Sequence, residues 1–108
     1  GTPGLVGGFS ATKAQAGIDI TSVTTNGSDF WVVDQNTNYV YHFNAFGTNI
    51  TGTDGGFSAT KAGAIGLPAI DTDARINYIS NNGKSTIPND FWVVDDSSDF
   101  VYHFKRVI

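Results

Sequence analysis

The sequence predicts an all-β chain built as two tandem units of short antiparallel strands. Three observations carry that reading. The 108 residues contain no Glu, Met or Cys and only two leucines, Leu5 and Leu67. Helix-favouring side chains are therefore scarce, while the Val, Ile, Thr, aromatic, Gly and Asn residues of strands and turns are plentiful. The second observation is an internal repeat. The third is that the best strand candidates are apolar on both faces, as expected where sheets stack on one another.

The repeat is literal. Gly7-Gly8-Phe9-Ser10-Ala11-Thr12-Lys13-Ala14 returns as Gly55-Gly56-Phe57-Ser58-Ala59-Thr60-Lys61-Ala62. Asp29–Asp34 returns as Asp90–Asp95, and Val40-Tyr41-His42-Phe43 as Val101-Tyr102-His103-Phe104. The first identity is offset by 48 residues and the other two by 61, so the second copy is longer by 13, inserted between positions 63 and 89. Repeat one runs over about residues 7–54 and repeat two over about 55–108. Such a period is the signature of a repeat architecture.

Each element follows in order. Gly7–Thr12 reads as a lone N-terminal strand. Gly17–Val23 is a strand ended by the Asn26-Gly27 turn. Asp29–Asp34 and Tyr39–Phe43 form a hairpin whose tip is the turn cluster Asp34–Asn38. Phe30 and Val32 point to one side and Trp31 and Val33 to the other. Phe46-Gly47 turns the chain into Thr48–Thr51, which leads to a fourth strand, Gly55–Thr60. In repeat two, Ala69–Asp71 and Arg75–Ser80 are the corresponding strand candidates. The Asn82-Gly83 turn is lengthened by the inserted residues into an excursion over Asn81–Pro88. Asp90–Asp95 and Phe100–Phe104 are the second hairpin, with Asp95–Asp99 at its tip.

Gly17-Ile18-Asp19-Ile20, Phe30–Asp34, Tyr39–Asn44 and Phe46-Gly47, with Phe91–Asp95 and Phe100–Phe104 in the second copy, resemble blades of the NHL-type β-propeller family. The family's Gly-Asn-Asn-Arg hairpin tip is replaced here by Asn36-Thr37-Asn38 and Ser97-Ser98-Asp99. The resemblance implies two four-stranded propeller-like blades, with the N-terminal strand completing the last blade. A closed ring takes about four to eight blades. Further blades are therefore expected from a longer protein or from other copies of the chain, in a trimer, a tetramer or an open filament. The family spans scaffolds, ligand binders and a few lyases and lactonases, so the fold does not choose the activity.

Candidate site residues have to be weighed against ordinary packing. His42 and His103 hold equivalent strand positions and would suit ligand binding, a metal or general-base chemistry. With no further ligand at metal-site spacing, packing between sheets is the favoured reading. Asp34, Asn36 and Asn38, and Asp95, Ser97 and Asp99, place oxygens at alternate positions as a calcium loop does. Both lack the Gly and Glu that complete such a loop, so solvated hairpin tips are favoured. Trp31, Trp92, Tyr39, Tyr41, Tyr102 and Phe100 would suit sugar stacking, but rings of this size more often fill a core. Phe9, Phe57, Trp31, Trp92, Tyr41 and Tyr102 are the expected packing residues between blades. Catalysis has little support. Asp71 and Asp73 lie two apart and fit a turn as well as a site, no nucleophile motif is present, and no cofactor is expected.

The net charge is −4, from 6 basic and 10 acidic residues, and only 15% of the chain is charged. The negative charge and the lack of any Lys/Arg cluster beyond the adjacent pair Lys105-Arg106 argue against nucleic acid as a partner. No apolar run reaches the roughly 18 residues of a membrane helix. Two sequons, at Asn26 and Asn49, are candidate glycosylation sites. The opening Gly1-Thr2-Pro3-Gly4 suits a processed or excised chain. The expected role is a non-catalytic assembly module at the cell surface, outside the cell or in a periplasm. The alternatives are a carbohydrate-binding lectin with aromatic sites between repeats and, more weakly, a fragment of an NHL-like lyase or lactonase.

Overall fold

A computed structural model describes residues 1–59, 76–81, 90–95 and 100–105. The described chain is all-β. Strands β1 (Ile20–Thr25), β2 (Phe30–Asp34), β3 (Tyr39–Phe43) and β4 (Asn49–Ile50) lie in that order in one antiparallel sheet, and β5 (Phe57–Ser58) also pairs with β3. Strands β6 (Ile76–Asn81), β7 (Asp90–Asp95) and β8 (Phe100–Lys105) form a second antiparallel sheet. Two single 3-10 turns, η1 (Ala11–Lys13) and η2 (Gly52–Asp54), lie ahead of β1 and ahead of β5 in sequence. None of the described helices is long and apolar enough to cross a membrane.

The hairpins form where alternation and turn chemistry place them. In the first, Trp31 stands opposite His42 and Val33 opposite Val40. In the second, Trp92 stands opposite His103 and Val94 opposite Val101. The first tip closes through Asn38, which adopts a left-handed φ of 54°, a conformation that Asn tolerates better than most residues. The turn between β1 and β2 is organised by Asn26, whose Oδ1 accepts from the Ser28 and Asp29 amides at 3.1 and 2.9 Å.

The register also locates the inserted residues. Ile20 faces Asp34 and Ile76 faces Asp95, each followed by an irregularity in the ladder. Ile20 and Ile76 are thus equivalent, with an offset of 56 residues between the earlier 48 and the later 61. Eight inserted residues therefore precede β6 and five follow it, so the single excursion expected after β6 is corrected to two insertions. The expected strand Ala69–Asp71, the paired aspartates Asp71 and Asp73, and the body of that excursion lie outside the described residues.

The N-terminal segment departs from expectation. Gly7–Thr12 forms no strand and does not complete the second sheet. Residues 1–10 carry no regular structure, and Ser10 instead accepts from the Thr12 amide to cap η1. A strand's amides and carbonyls need a ladder to pair with, and among the described residues this segment joins none. Phe9 nevertheless packs, with its ring 5.7 Å from Phe30 and 5.0 Å from Phe43. Phe57 makes the equivalent contacts in the second repeat, 5.3 Å from Phe91 and 5.1 Å from Phe104. Phe57 thus belongs to both sheets: its backbone pairs with Val40 of β3 while its ring lies on β7 and β8.

The core fills the space between the sheets. Trp31, Val33 and Val40 of the first sheet meet Phe91, Val93 and Tyr102 of the second, with Ala59 between them. Strand β6 runs beside β1 and β2. The two sheets stack in the same sense, the tryptophan face of one against the phenylalanine face of the next. A buried ring such as Trp31 removes about 150–250 Å² from water, or roughly 4–6 kcal/mol of gross transfer energy at about 25 cal/mol per Å².

Candidate functional site

The most distinctive side-chain arrangement occurs twice. In the first sheet the His42 ring stacks on Trp31, with centroids 4.4 Å apart and planes at 15°. Its Nε2 lies 2.7 Å from Asp29 Oδ2 and its Nδ1 lies 2.5 Å from the Asp54 carbonyl. The Asp54 carbonyl can only accept, so Nδ1 is the donor to it. In the second sheet His103 stacks on Trp92 at 4.7 Å and 3°, and its Nε2 lies 2.7 Å from Asp90 Oδ1. Alternation explains the stack, because directly opposed residues share a face. The carboxylate comes from the residue just before β2 in one repeat and from the first residue of β7 in the other.

The two copies differ in their surroundings. His42 is 1% exposed and His103 49%. Val40 is fully buried, whereas the identical Val101 is 56% exposed. Trp31 is fully buried, whereas Trp92 is half-buried. The first tryptophan–histidine face is covered by the second sheet, β5 and η2. The second face has no such cover among the described residues.

The other candidates are placed as follows. Asp34 is buried, and its carboxylate is committed to the backbone and the turn. Oδ1 accepts from the Asp19 and Asn36 amides, both at 3.0 Å, and Oδ2 accepts from the Thr37 hydroxyl at 2.7 Å. Asn36 Nδ2 donates to the Gly17 carbonyl at 2.9 Å, and Asn38 is buried. Asp34 and Asn36 tie the hairpin tip to the segment entering β1, whereas the Asn38 carbonyl accepts from the Ala59 amide at 2.8 Å. Ser97 and Asp99 lie outside the described residues, as does the side chain of Asp95. Among the described residues no group of three or more His, Cys, Asp or Glu could hold a metal ion.

The aromatic residues divide. Trp31 and Tyr102 are buried between the sheets, so neither offers a face to a ligand. Tyr39 and Tyr41, with rings 4.6 Å apart, line a groove with Asn49, Thr51 and the backbone of Gly52. Burial pushes the Tyr41 phenol above the ordinary tyrosine value. A hydrogen bond with Thr37 opposes this, and the negative charge of Asp34 and the neighbouring Tyr39 reinforce it. The Tyr41 hydroxyl donates to Gln15 Oε1 at 2.6 Å. The sequon residue Asn49 lies on β4 at the groove, half-buried, and Asn26 lies in its turn with Oδ1 accepting from that turn.

Sequence reasoning singled out the histidines and tryptophans but not Asp29, Asp90 or the Asp54 carbonyl. The signal for the two carboxylates was available, since each Asp begins a repeated Asp-Phe-Trp segment. No signal marked the Asp54 carbonyl, which reaches His42 only through the turn of η2. No family model, curated protein or solved structure matches the chain.

Proposed function

We propose that this chain is a non-catalytic structural module that works outside the cytoplasm, stacking its sheets on further copies of itself through faces and edge strands. The observation that carries the reading is the unequal exposure of identical residues. Val40 and His42 are core, while Val101 and His103, on an equivalent face, are 56% and 49% exposed. A face built as core in one layer and left open in the next is suited to another layer. The sheets already stack in one sense, so the contact is heterologous and would propagate to a ring or a filament. A surface rich in Thr, Ser, Asn and Gly and two sequons support an extracellular setting. Light scattering across a concentration series tests the proposal. A discrete oligomer or a growing filament is expected, and a monomer at every concentration overturns it.

A second reading, carbohydrate binding, is favoured by the Tyr39–Tyr41 groove, whose aromatic wall faces hydroxyl and amide groups. Sugars stack on such rings while bonding to such groups. A glycan array probed with the wild type and with Tyr39→Ala tests it. Binding lost in the variant supports the reading, and a blank array removes it.

A further inference from the structure

We infer that the outer edge of β8 is a receptor for one particular strand, the Gly7-Gly8-Phe9-Ser10 segment of a second copy of this chain. The inference rests on the self-association proposed above and specifies its contact.

The chain contains its own template. In the first sheet the outer edge of β3 is covered by Phe57 opposite Val40 and Ser58 opposite Tyr39. The glycine before them is needed there. A Cβ on Gly56 would come within 1.9 Å of the Val40 carbonyl oxygen, a contact no side chain can make. A Cβ on Gly55 would meet the Thr51 backbone at 2.9 Å. In the second sheet β8 is the equivalent of β3, and among the described residues it is paired on one side only, by β7. Val101, the counterpart of Val40, is accordingly exposed.

The matching segment exists at the other end of the chain. Gly7–Ser10 is identical in sequence to Gly55–Ser58 but joins no strand ladder among the described residues. A Cβ on Gly7 or Gly8 would meet no atom within 4 Å, so the fold of one chain gives these glycines no reason. Phe9 is already set down on Phe30 and Phe43 as Phe57 is on Phe91 and Phe104. Docking therefore requires no movement of that ring. Leu5 and Val6, just before the segment, are fully exposed, as apolar residues are when a contact surface stands empty. Transferring the template register places Ser10 of one copy opposite Phe100 of the next, and Phe9 opposite Val101. The backbone bonds would come from strand addition to a sheet edge.

Cysteine pairing tests the register directly, because the chain contains no Cys and opposed residues of an antiparallel pair lie within disulfide reach. Ser10→Cys protein is mixed with Phe100→Cys protein under mild oxidation. A mixed covalent dimer of twice the 11.5 kDa chain mass, far exceeding either homodimer, is expected. In parallel, Gly8→Val removes the close approach and Val101→Lys charges the receptor edge. Both are expected to lose assembly in light scattering while keeping the wild-type circular dichroism and melting midpoint of the dilute chain. If wild type associates but no mixed disulfide forms and both variants associate equally, the register is wrong and self-association stands. If wild type never associates, both fall. A monomeric internal disulfide in the Ser10→Cys/Phe100→Cys double variant would show the segment closing its own last sheet, and would overturn the role of a second copy.

Discussion

Gly56 lies against Val40 so closely that a Cβ there would come to 1.9 Å from the Val40 carbonyl oxygen. The residue with the same letter and the same neighbours in the first repeat, Gly8, has open space around it. Identical sequence therefore carries opposite constraints.

Gly56→Ala is expected to destabilise the chain by about 1–3 kcal/mol, the usual cost of forcing extra atoms into a packed site. Gly8→Ala is expected to stay within about 0.5 kcal/mol of wild type, as surface changes do. Urea unfolding of dilute protein measures both, and equal effects would contradict the described environments.

The two histidines give a second matched pair. His42→Ala removes a buried ring together with its part-buried contacts to the Asp54 carbonyl and the Asp29 carboxylate, and is expected to cost about 2–3 kcal/mol. His103→Ala removes a half-exposed ring and its contact with the Asp90 carboxylate, and is expected to cost under about 1 kcal/mol. The ratio of the two losses in denaturant unfolding is the informative quantity.

The tryptophans report the two layers separately. With Trp92→Phe, the remaining Trp31 should emit at short wavelength and resist quenching by acrylamide. With Trp31→Phe, the remaining Trp92 should emit further to the red and quench several-fold more readily. Raising the protein concentration should shift Trp92 toward the blue and leave Trp31 unchanged, because of the two tryptophan faces it is that of Trp92 that lies open among the described residues.

Tyr41 supplies a pH dependence. Its phenol is raised above the ordinary value of 10.0, chiefly by burial, so the folded chain holds this proton more tightly than the unfolded one. The associated stability is complete below pH 10.0 and is lost as the pH rises through the folded value. Denaturation midpoints measured upward from pH 10.0 should fall, and they should fall less steeply in Tyr41→Phe.

Much of the fold was legible in the sequence because hairpins are local. Alternating β-branched and aromatic residues, bounded by Asp, Asn and Ser tips, fix β2, β3, β7 and β8 to within a residue of the expected ranges. Size led to the expectation that Trp31, Trp92, Tyr41 and Tyr102 pack between repeats, and size does not separate them: Trp31 and Tyr102 are buried there, while Trp92 and Tyr41 are half-buried. What was not legible is partner choice. Nothing in the letters of Gly-Gly-Phe-Ser says whether an edge strand lies beside it, and the segment becomes β5 in one copy and irregular chain in the other. The division of the inserted residues around β6 needed the ladder register, and the commitment of the Asp34 carboxylate to the backbone needed the geometry of the tip.

Phe57 gives its backbone to one sheet and its ring to the next, so the unit that is duplicated in the sequence is not the unit that stands alone in space. A cut made at the textual boundary, ahead of Gly55, would strip β5 from the first hairpin and release Trp31 and Val40 to solvent. A cut made after Ala59 would deprive the second hairpin of its wedge. Neither half is a self-sufficient piece, and excision or shuffling of single copies would succeed only where each fragment keeps both the Gly-Gly-Phe-Ser segment that precedes its hairpin and the one that follows it.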